Sequence, residues 1–402
     1  AFANFSRNAA SEKALASASN LPDPLVFSTH HKNPADRKRL IKELGKAGLK
    51  PDSVFPVLSG GGPKTDLIHI FKKTDRALPK KLSWNGKTAF LFPSTLSQYP
   101  GMGRQLKKAF PAVAENLKEL DKILGYNLSY GMEGSKKLLF PGAASPRFPV
   151  HMEVVAGLSL AVAHSLSQAG IRPDAVAGYS VGEFAAASFA GVIGLRECFS
   201  MIRALALGCQ KCCLASPGGL FIVYGLSRKE LETVATGVGK DGHLCRIVFF
   251  SDNMRLGEVG IRQDALSALK NRLADFPHKL KRLAVAGAFH TPLFTPLARR
   301  MEKFASGMPF NRAEFPLYMN RNGFPETFPE KIKTKLSSAL DHPVLWQETI
   351  ERMAADGIKN FIELSPLPML TEFICKLPAG ARVMRADSPE NFSKILATLL
   401  KK

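Results

Sequence analysis

The sequence predicts an α/β protein, and three features of the chain support this class. From Thr88 onward, short apolar runs of the kind that form buried strands alternate with longer segments of helical character. One of these runs passes through a glycine-flanked serine, Ser180, directly into an Ala-rich segment that predicts a helix. The segment 217–286 gives the order strand, helix, strand, strand, helix, strand, which is typical of a small split βαβ unit.

Residues 1–87 precede this pattern and are predicted to form a basic N-terminal extension. They carry sixteen Lys or Arg and seven Asp or Glu, a net charge of +9, in a chain whose net charge is +21. A basic helix is predicted from Asn33 to Lys46 and a short strand from Leu67 to Phe71. Two interpretations stay open for the extension: a solvated basic tail, or a tether to RNA or to a larger assembly.

The remaining elements are predicted in chain order from apolar periodicity. Around the serine, the sequence predicts strands at 88–92 and 176–177 and helices at 101–124, 154–169, 184–190 and 195–213. In the small unit it predicts strands at 219–224, 245–250, 258–261 and 280–285, and helices at 227–236 and 263–276. Two more helices are predicted at 296–308 and 344–355. The predicted domains are a large subdomain, 88–216 plus 287–402, and a small one, 217–286.

The pentapeptide Gly178-Tyr-Ser-Val-Gly182 matches the G-x-S-x-G pattern of a nucleophile elbow. In such a turn the serine has a strained backbone and flanking side chains would collide, which accounts for the two glycines. Ser180 would then stand at a helix N-terminus, where free N–H groups can stabilise a developing oxyanion. The alternative is a plain strand-to-helix turn with a capping serine. The sequence of strand, turn and helix favours a catalytic Ser180.

A nucleophilic serine needs a base, and His290 is the candidate among nine histidines. It follows Ala284-Val-Ala-Gly-Ala-Phe289, a run of small and apolar residues that predicts a buried strand. A histidine that ends such a strand can receive the Ser180 proton. The alternative is a packed or capping histidine before the turn at Pro292.

The segments Gly178–Ala186 and Gly287–Leu293 together resemble the malonyl-CoA:acyl carrier protein transacylases. The aromatic Tyr179 before the serine is similar to the mitochondrial branch of that family. Further segments agree with the family in order and spacing: Phe90–Gly103, Ala190–Ile193, Tyr318–Asn320, His342–Trp346 and Phe361–Pro366. The resemblance runs from about Thr88 to the C-terminus. It implies an α/β-hydrolase-like large subdomain with an inserted ferredoxin-like (βαββαβ) small subdomain, and a site in the crevice between them.

The resemblance also implies the chemistry. Ser180 would take the acyl group of an acyl-CoA and pass it to the phosphopantetheine thiol of an acyl carrier protein, with His290 as base and then acid. The backbone N–H groups of Val181 and Thr95 would hold the oxyanion, although Ser94 and Leu96 stand where the family has glycines. The backbone carbonyl of Ala339 would orient the histidine. Coenzyme A and phosphopantetheine enter as substrates, so no bound cofactor is expected.

The acyl pocket implied by the resemblance contains Leu205, Tyr179 and Phe289. Leu205 stands where the family has the arginine that pairs with the malonyl carboxylate, and a buried carboxylate facing leucine would be uncompensated. Arg203 lies two positions away, about 200° around a helix, so it is a poor substitute. The sequence therefore predicts an acyl group other than malonyl, such as acetyl or a longer chain.

A second hypothesis is a family member that has lost its activity. The altered loop at Ser94–Leu96, Leu205 and the basic extension favour a structural or assembly component of a mitochondrial RNA–protein particle such as the mitoribosome, bound to rRNA or ribonucleoprotein. The intact pair of Ser180 and His290 favours the first hypothesis, a transferase of fatty acid biosynthesis. Neither hypothesis is excluded by the sequence.

Composition limits the remaining possibilities. A net charge of +21 and a pI near 9.8 indicate a polyanionic neighbour. No uninterrupted apolar run reaches the ~18–20 residues that span a bilayer, so no transmembrane segment is predicted. Of six cysteines, Cys209, Cys212 and Cys213 share a helix face, but no second Cys-x-x-Cys accompanies them, so reduced thiols are predicted and no metal site. Ala1–Asn20 is typical of the remainder beside a removed transit peptide, which predicts the mitochondrial matrix.

Overall fold

The computed structural model describes residues 2–4, 25–29, 49–58, 65–73, 86–374 and 377–400. In its first part a four-stranded sheet is formed by β1 (Phe2–Asn4), β2 (Leu25–Thr29), β3 (Leu49–Leu58) and β4 (Thr65–Lys73), in the order β1-β2-β4-β3. The sequence predicted one short strand here. The long strand β3 was missed because it contains Pro51 and Pro56, and proline argues against a strand. The predicted helix from Asn33 to Lys46 lies outside the described residues.

The next elements lead to the predicted nucleophile and beyond it. In chain order they are β5 (Lys87–Phe92), α1 (Arg104–Ala109), α2 (Pro111–Leu124), α3 (Leu128–Met132), α4 (Lys136–Leu139), α5 (Val150–Gln168), β6 (Ala175–Gly178), α6 (Gly182–Phe189) and α7 (Leu195–Ala215). The helix predicted at 101–124 is two helices, because Phe110 precedes a proline and has extended backbone angles. Pro111 then occupies the first turn of α2, where its missing N–H has no cost.

A second sheet follows in the segment 218–282. Its elements are β7 (Gly218–Tyr224), α8 (Arg228–Lys240), β8 (Cys245–Ser251), β9 (Leu256–Arg262), α9 (Leu266–Leu273) and β10 (Lys279–Arg282). The strand order is β10-β7-β9-β8, and every neighbouring pair is antiparallel. Helix α8 begins with a capping box in which Ser227 and Glu230 satisfy each other's backbone N–H groups. The bounds of this segment as a separate subdomain stay a prediction.

After this second sheet the chain packs again with helices α1–α7 and adds the remaining strands of a six-stranded central sheet. The returning elements are α10 (Thr295–Ala305), β11 (Leu317–Tyr318), β12 (Pro325–Glu326), α11 (Pro329–Ser337), α12 (Trp346–Ala355), β13 (Ile358–Glu363), β14 (Arg382–Arg385) and α13 (Pro389–Leu400). The central sheet has the order β12-β11-β6-β5-β13-β14 and is parallel except for the edge pair of β11 and β12. The predicted α/β class is therefore confirmed.

The core lies on both faces of the central sheet, because successive side chains of a strand point to opposite faces. Phe90, Phe92 and Val176 join the larger cluster with α5, α6 and α7. Ala89, Leu91 and Ala177 join a second cluster, which also contains side chains of the small sheet. The small sheet thus packs against the face of β5 and β6 that ends at the glycine-flanked serine.

Two helices, α5 and α7, are long and apolar enough to cross a membrane, each with a mean hydropathy of 1.3. In α5, 83% of the apolar window is buried inside the fold, against α2, α6 and α7. Helix α7 is 44% buried in its window and is interrupted by charged residues on its outer side, such as Arg203. This burial assigns both helices to the core of the fold.

Candidate active site

The turn between β6 and α6 has the geometry that its glycines permit. Ser180 has a φ of +53°, in the left-handed region, and α6 begins two residues later at Gly182. A side chain at position 178 would collide with the backbone of Gly182, and one at position 182 would collide with the carbonyl oxygen of Phe92. Only glycine fits both positions, so the helix N-terminus sits directly on the end of β5.

Asn320 clamps this turn from both sides. Its side-chain Oδ1 accepts the backbone N–H of Ser180 at 2.7 Å, and its Nδ2 donates to the carbonyl of Gly178 at 2.5 Å. Its own backbone N–H donates to Glu183 Oε1 at 2.7 Å. Burial raises the pKa of Glu183 to about 8, against the opposing effects of that hydrogen bond and of the Lys335 charge. Residues from β6, α6 and the end of β11 thus hold the strained backbone of Ser180 in place.

His290 meets the serine hydroxyl. Its Nε2 lies 2.8 Å from Ser180 Oγ, and its Nδ1 lies 3.0 Å from each of the carbonyl oxygens of Ala339 and His342. Two carbonyl acceptors require a proton on Nδ1, which leaves Nε2 to accept the hydroxyl proton. Burial lowers the pKa of His290 to about 4, although the carbonyls of His342 and Ala339 raise it. The imidazole is therefore neutral and oriented as a base at neutral pH.

The segment before His290 differs from the expectation. The predicted strand at 280–285 ends at Arg282, and Ala284–Phe289 forms no strand, so His290 does not end a strand. His290 itself has a φ of +63° in a turn. The small residues of this run pack as a loop instead: a side chain at Gly287 would collide with Cys213 of α7. Close packing on α7 fixes this part of the loop, and the carbonyls of Ala339 and His342 orient the histidine ring.

The two predicted oxyanion donors lie in different loops. Val181 is the residue that caps α6, and Thr95 lies in the loop after β5. Among the described residues neither backbone N–H has a hydrogen-bond partner. Leu96, where the family resemblance implies a glycine, has a φ of +79°. The loop holds this strained residue with side-chain bonds: Leu96 N–H donates to Gln98 Oε1 at 2.7 Å, and Ser97 Oγ donates to the Ser94 carbonyl at 2.7 Å.

The three residues predicted for the acyl pocket lie in different places. Phe289 lines a small cavity that it shares with Thr95, Gln98 and His151. Tyr179 packs on the other face of the central sheet, edge-on to Phe249 and Trp346 at ring-centroid distances of 6.0 and 5.6 Å. Leu205 lies within the larger core cluster and is 1% exposed. The role of these residues in acyl binding stays a prediction.

Arg203 is engaged away from the serine. Its Nε donates to Glu153 Oε1 at 2.6 Å and its Nη2 to Glu153 Oε2 at 3.1 Å, in a bidentate pair with the carboxylate buried in α5. The guanidinium also lies 4.6 Å from the centre of the Tyr126 ring. Because this pair is closed, Arg203 is not free to take the place of the arginine that the family resemblance implies at position 205.

Sequence reasoning assigned no role to three residues that shape the site: Asn320, Glu183 and Gln98. Gln98 anchors the Thr95 loop, since its Nε2 also donates to the Leu139 carbonyl at 2.8 Å. Asn320 and Glu183 stood in the segments that carried the family resemblance, and this was the only available signal. Their contacts join residues more than a hundred positions apart, such as Asn320 to Ser180.

Comparison with known proteins identifies an acyltransferase family and several relatives of this chain. A family model described as "Acyl transferase domain" matches residues 89–379. The malonyl CoA-acyl carrier protein transacylase of Bacillus subtilis (strain 168) is 27% identical over 315 residues, covering 78% of this chain and 97% of that protein. The mitochondrial malonyl-CoA-acyl carrier protein transacylase of Homo sapiens is 27% identical over 314 residues, covering 73% and 76%.

Solved structures show the same fold. The malonyl CoA-acyl carrier protein transacylase of Coxiella burnetii superposes with a TM-score of 0.71 at 21% identity, over 80% of this chain and 100% of that one. A malonyl-transacylase solved in complex with its acyl-carrier protein gives a TM-score of 0.70 at 22% identity, over 77% and 99%. At this level of identity the superposition is evidence of fold.

Proposed function

Because the chain belongs to the acyl transferase family of the malonyl-CoA:acyl carrier protein transacylases, we propose that it transfers an acyl group from coenzyme A to the phosphopantetheine thiol of an acyl carrier protein. The observation that carries the proposal is the contact of 2.8 Å between Ser180 Oγ and His290 Nε2, with the other ring nitrogen bonded to backbone carbonyls. This is the arrangement of an activated nucleophile, its base and an orienting acceptor.

In the first half-reaction the acyl group moves to the serine. His290 Nε2 takes the proton of Ser180 Oγ as the oxygen bonds to the thioester carbonyl carbon. The negative charge on the carbonyl oxygen is held by the backbone N–H groups of Val181 and Thr95. The carbon–sulfur bond then breaks, the coenzyme A sulfur leaves, and His290 returns the proton to it. The product is an acyl-serine and a free thiol.

The second half-reaction reverses these roles with another thiol. The phosphopantetheine sulfur of the carrier protein gives its proton to His290 and attacks the acyl-serine carbonyl. The serine oxygen leaves and recovers the proton from His290. The neutral imidazole suits both directions, since each half-reaction begins with a base on Nε2. No net proton or electron is consumed, so the exchange needs coenzyme A and the carrier as substrates only.

The donor that we propose is an acyl-CoA without a carboxylate on the acyl group. Leu205 is apolar and buried, and Arg203, the nearest cation on its helix, is paired with Glu153. A malonyl carboxylate placed against this wall would lose its hydration without gaining a counter-charge. Acetyl and longer saturated acyl groups have no such cost.

The proposed partner and location agree with the relatives. One superposed structure is a complex with an acyl-carrier protein, which supports a carrier as the acceptor here. The human relative is named mitochondrial, which supports a mitochondrial protein acting in fatty acid synthesis. Within the mitochondrion, we propose the matrix as its location.

A second candidate function rests on the charge of the chain. With a net charge of +21, of which +9 lies in residues 1–87, the protein can bind RNA as a structural or assembly component of a mitochondrial RNA–protein particle. The altered malonyl position at Leu205 supports this candidate, because a member without activity has no need of the arginine. The Ser180–His290 contact favours the transferase.

Intact-mass spectrometry tests the transferase directly. The purified protein is incubated with acetyl-CoA, malonyl-CoA and a longer acyl-CoA, beside Ser180→Ala. We expect an acetyl or longer acyl adduct on the wild type, little malonyl adduct, and none on the variant, which lacks the nucleophile. Efficient malonyl loading would contradict the proposed selectivity. Complete absence of adducts from a folded sample would contradict the transferase and favour the structural candidate.

A further inference from the structure

One largely buried carboxyl group of the small sheet has no hydrogen-bond or ion-pair partner among the described residues. Five glutamates are buried in the described residues, and four have their charge or oxygen atoms satisfied. Each of the four is bonded to a cation or to backbone N–H groups: Glu153 to Arg203, Glu183 to Asn320, Glu326 to Lys335, and Glu363 to the N–H groups of residues 369, 370 and 371. The fifth, Glu258, is 9% exposed and has no hydrogen bond or ion pair among the described residues.

Such a group is costly for the fold. A carboxylate that keeps little contact with water and has no cation or hydrogen-bond donor beside it loses much of its hydration energy and gains nothing in return. Burial alone raises the pKa of Glu258 to about 7. A glutamine of the same shape would cost less, so packing does not explain a glutamate at this position.

Strand β9 directs this carboxyl group toward the side-chain cluster that contains Tyr179, the neighbour of Ser180. Glu258 is paired in register with Ile222 of β7 and with Phe249 of β8, and paired residues of antiparallel strands share a face. Ile222 and Phe249 belong to the cluster that contains Tyr179, the residue before Ser180. The Glu258 charge also raises the pKa of the Tyr179 hydroxyl, after the larger effect of burial, so the two groups lie close together.

The same strand contacts the element that carries the base. Two residues beyond Glu258, a side chain at Gly260 would collide with Thr291, the neighbour of His290. Close by, the N–H of Val344 donates to the carbonyl of Val248 in the adjacent strand β8 at 2.8 Å. Glu258 therefore lies between the nucleophile turn and the histidine loop, on the wall formed by the small sheet.

We propose that Glu258 is a specificity-determining residue that excludes acyl groups carrying a carboxylate, by repulsion between two like charges in a crevice of low polarity. The inference rests on the proposed acyl transfer. It specifies the class of acyl group that is accepted, and it does so from Glu258, a residue independent of Leu205. Leu205 removes the attraction for a malonyl-type carboxylate, and Glu258 adds a repulsion. Like charges in a poorly solvated site interact over several ångströms, so direct contact with the acyl group is not required. Neutral acyl groups are unaffected.

The test is the ratio of malonyl to acetyl adduct on Ser180, measured by timed intact-mass spectrometry at about pH 8, where the carboxylate form prevails. Glu258→Gln keeps the shape and removes the charge; we expect the ratio to rise by about tenfold while acetyl loading stays near the wild-type rate. Glu258→Asp keeps the charge and should keep the wild-type ratio. Glu326→Gln changes a buried glutamate on β12 that is paired to Lys335 and should leave the ratio unchanged.

The proposal also predicts how two changes combine. In a Leu205→Arg background, Glu258→Gln should raise malonyl loading further, since attraction and repulsion act separately. An unchanged ratio in Glu258→Gln, an equal change for both donors, or the same change in Glu258→Asp would overturn the proposal while acetyl loading continued to support the transferase. If no donor loads any folded variant, the transferase itself is contradicted, and the exclusion with it.

Discussion

Asn320 supports the proposed nucleophile, Ser180, through the backbone alone. Its amide accepts from Ser180 N–H and donates to the Gly178 carbonyl, so both sides of a turn with positive φ are tied to one side chain. Left-handed backbone angles are unfavourable for serine, and a strained turn persists only when its surroundings hold it. We regard Asn320 as a positioning residue, since it acts on the reaction through the place of Ser180 Oγ.

Asn320→Ala should therefore slow acylation of Ser180 by about ten- to a hundredfold and cost about 1–3 kcal/mol of unfolding free energy, because two buried backbone groups lose their partner. Single-turnover acetyl loading and thermal unfolding measure the two effects. Asn116→Ala is the matched control. That amide bonds Ser165 Oγ at 2.9 Å and Gln168 Oε1 at 3.0 Å in α5, away from the site, so it should lower stability without slowing loading. Wild-type loading by folded Asn320→Ala would contradict this role.

The titration of His290 gives a second prediction for a single residue. Burial lowers its pKa to about 4 from an ordinary value of 6.5, so the base form prevails well below neutral pH. Acetyl loading should be nearly constant between about pH 5 and pH 7 and should fall only below about pH 5. A rate that falls with a midpoint near 6.5 would show that the histidine is exposed to water.

The same shift has a consequence for stability. Between pH 6.5 and about 4 the unfolded chain binds a proton on this ring and the folded chain does not. The free energy of unfolding contributed by His290 therefore falls as the pH drops through that window. Circular dichroism at each pH separates loss of fold from loss of base, because the rate is compared only where the protein remains folded.

Among the elements, helix α7 has one face packed in the core and another face that carries an ion pair. Its inner face places Leu205 in the core, and its outer face carries Arg203 in the pair with Glu153 of α5. The two residues are two positions apart, which separates them by more than half a turn of helix. The helix therefore cannot present Arg203 to the acyl pocket without giving up a bidentate pair to a buried carboxylate.

Leu205→Arg should raise the ratio of malonyl to acetyl adduct by about tenfold, because a guanidinium pairs with the single free carboxylate of the malonyl group. It should also lower the melting temperature, since position 205 is 1% exposed and an arginine there is buried. Leu207→Arg is the control on the same helix: this leucine is 43% exposed, so neither quantity should change. An unchanged ratio in Leu205→Arg would show that the acyl group lies elsewhere.

Local rules predicted the geometry of the turn at Ser180 well and the surroundings of the turn poorly. Gly178 and Gly182 are required by a steric constraint between residues only four positions apart, so the pattern can be recognised from the sequence alone. Asn320 acts across 140 positions, and nothing in its own neighbourhood marks the contact. Glu258 was missed for another reason: a polar residue in a strand normally faces water, and only the packing of the small sheet on the large one buries it. The family resemblance supplied Thr95 and Ala339, which no local pattern indicates.

At the scale of the whole molecule, charge and chemistry occupy different parts of the chain. The serine, the histidine and their hydrogen-bond partners fall between residues 178 and 342. Residues 1–87 carry a net charge of +9, and those of them that the structure describes contribute none of these partners. Polyanion binding and acyl transfer should therefore be separable.

Removal of residues 1–85, which stops just before β5, should leave acetyl loading within about twofold and should weaken RNA binding, with a shallower dependence of affinity on salt. Filter binding across a salt series measures the second effect. A full-length variant with Arg37, Lys38, Arg39 and Lys42 changed to Gln separates charge from length and should weaken binding in the same direction. Unchanged RNA affinity in the truncated protein would assign the extension to a solvated tail.

The imidazole of the site is oriented by peptide carbonyls, those of Ala339 and His342, and a peptide carbonyl exists whatever side chain its residue bears. Mutation of these two codons cannot remove the carbonyl acceptor, whereas mutation of an aspartate codon would remove a carboxylate acceptor. In a deep mutational scan for acyl loading, positions 339 and 342 should tolerate most replacements, whereas 180 and 290 should tolerate none. A gene copy of this family that is no longer under selection would therefore keep the carbonyl acceptors of the histidine for a long time. Loss of activity would first be visible as replacement of the serine or the histidine itself.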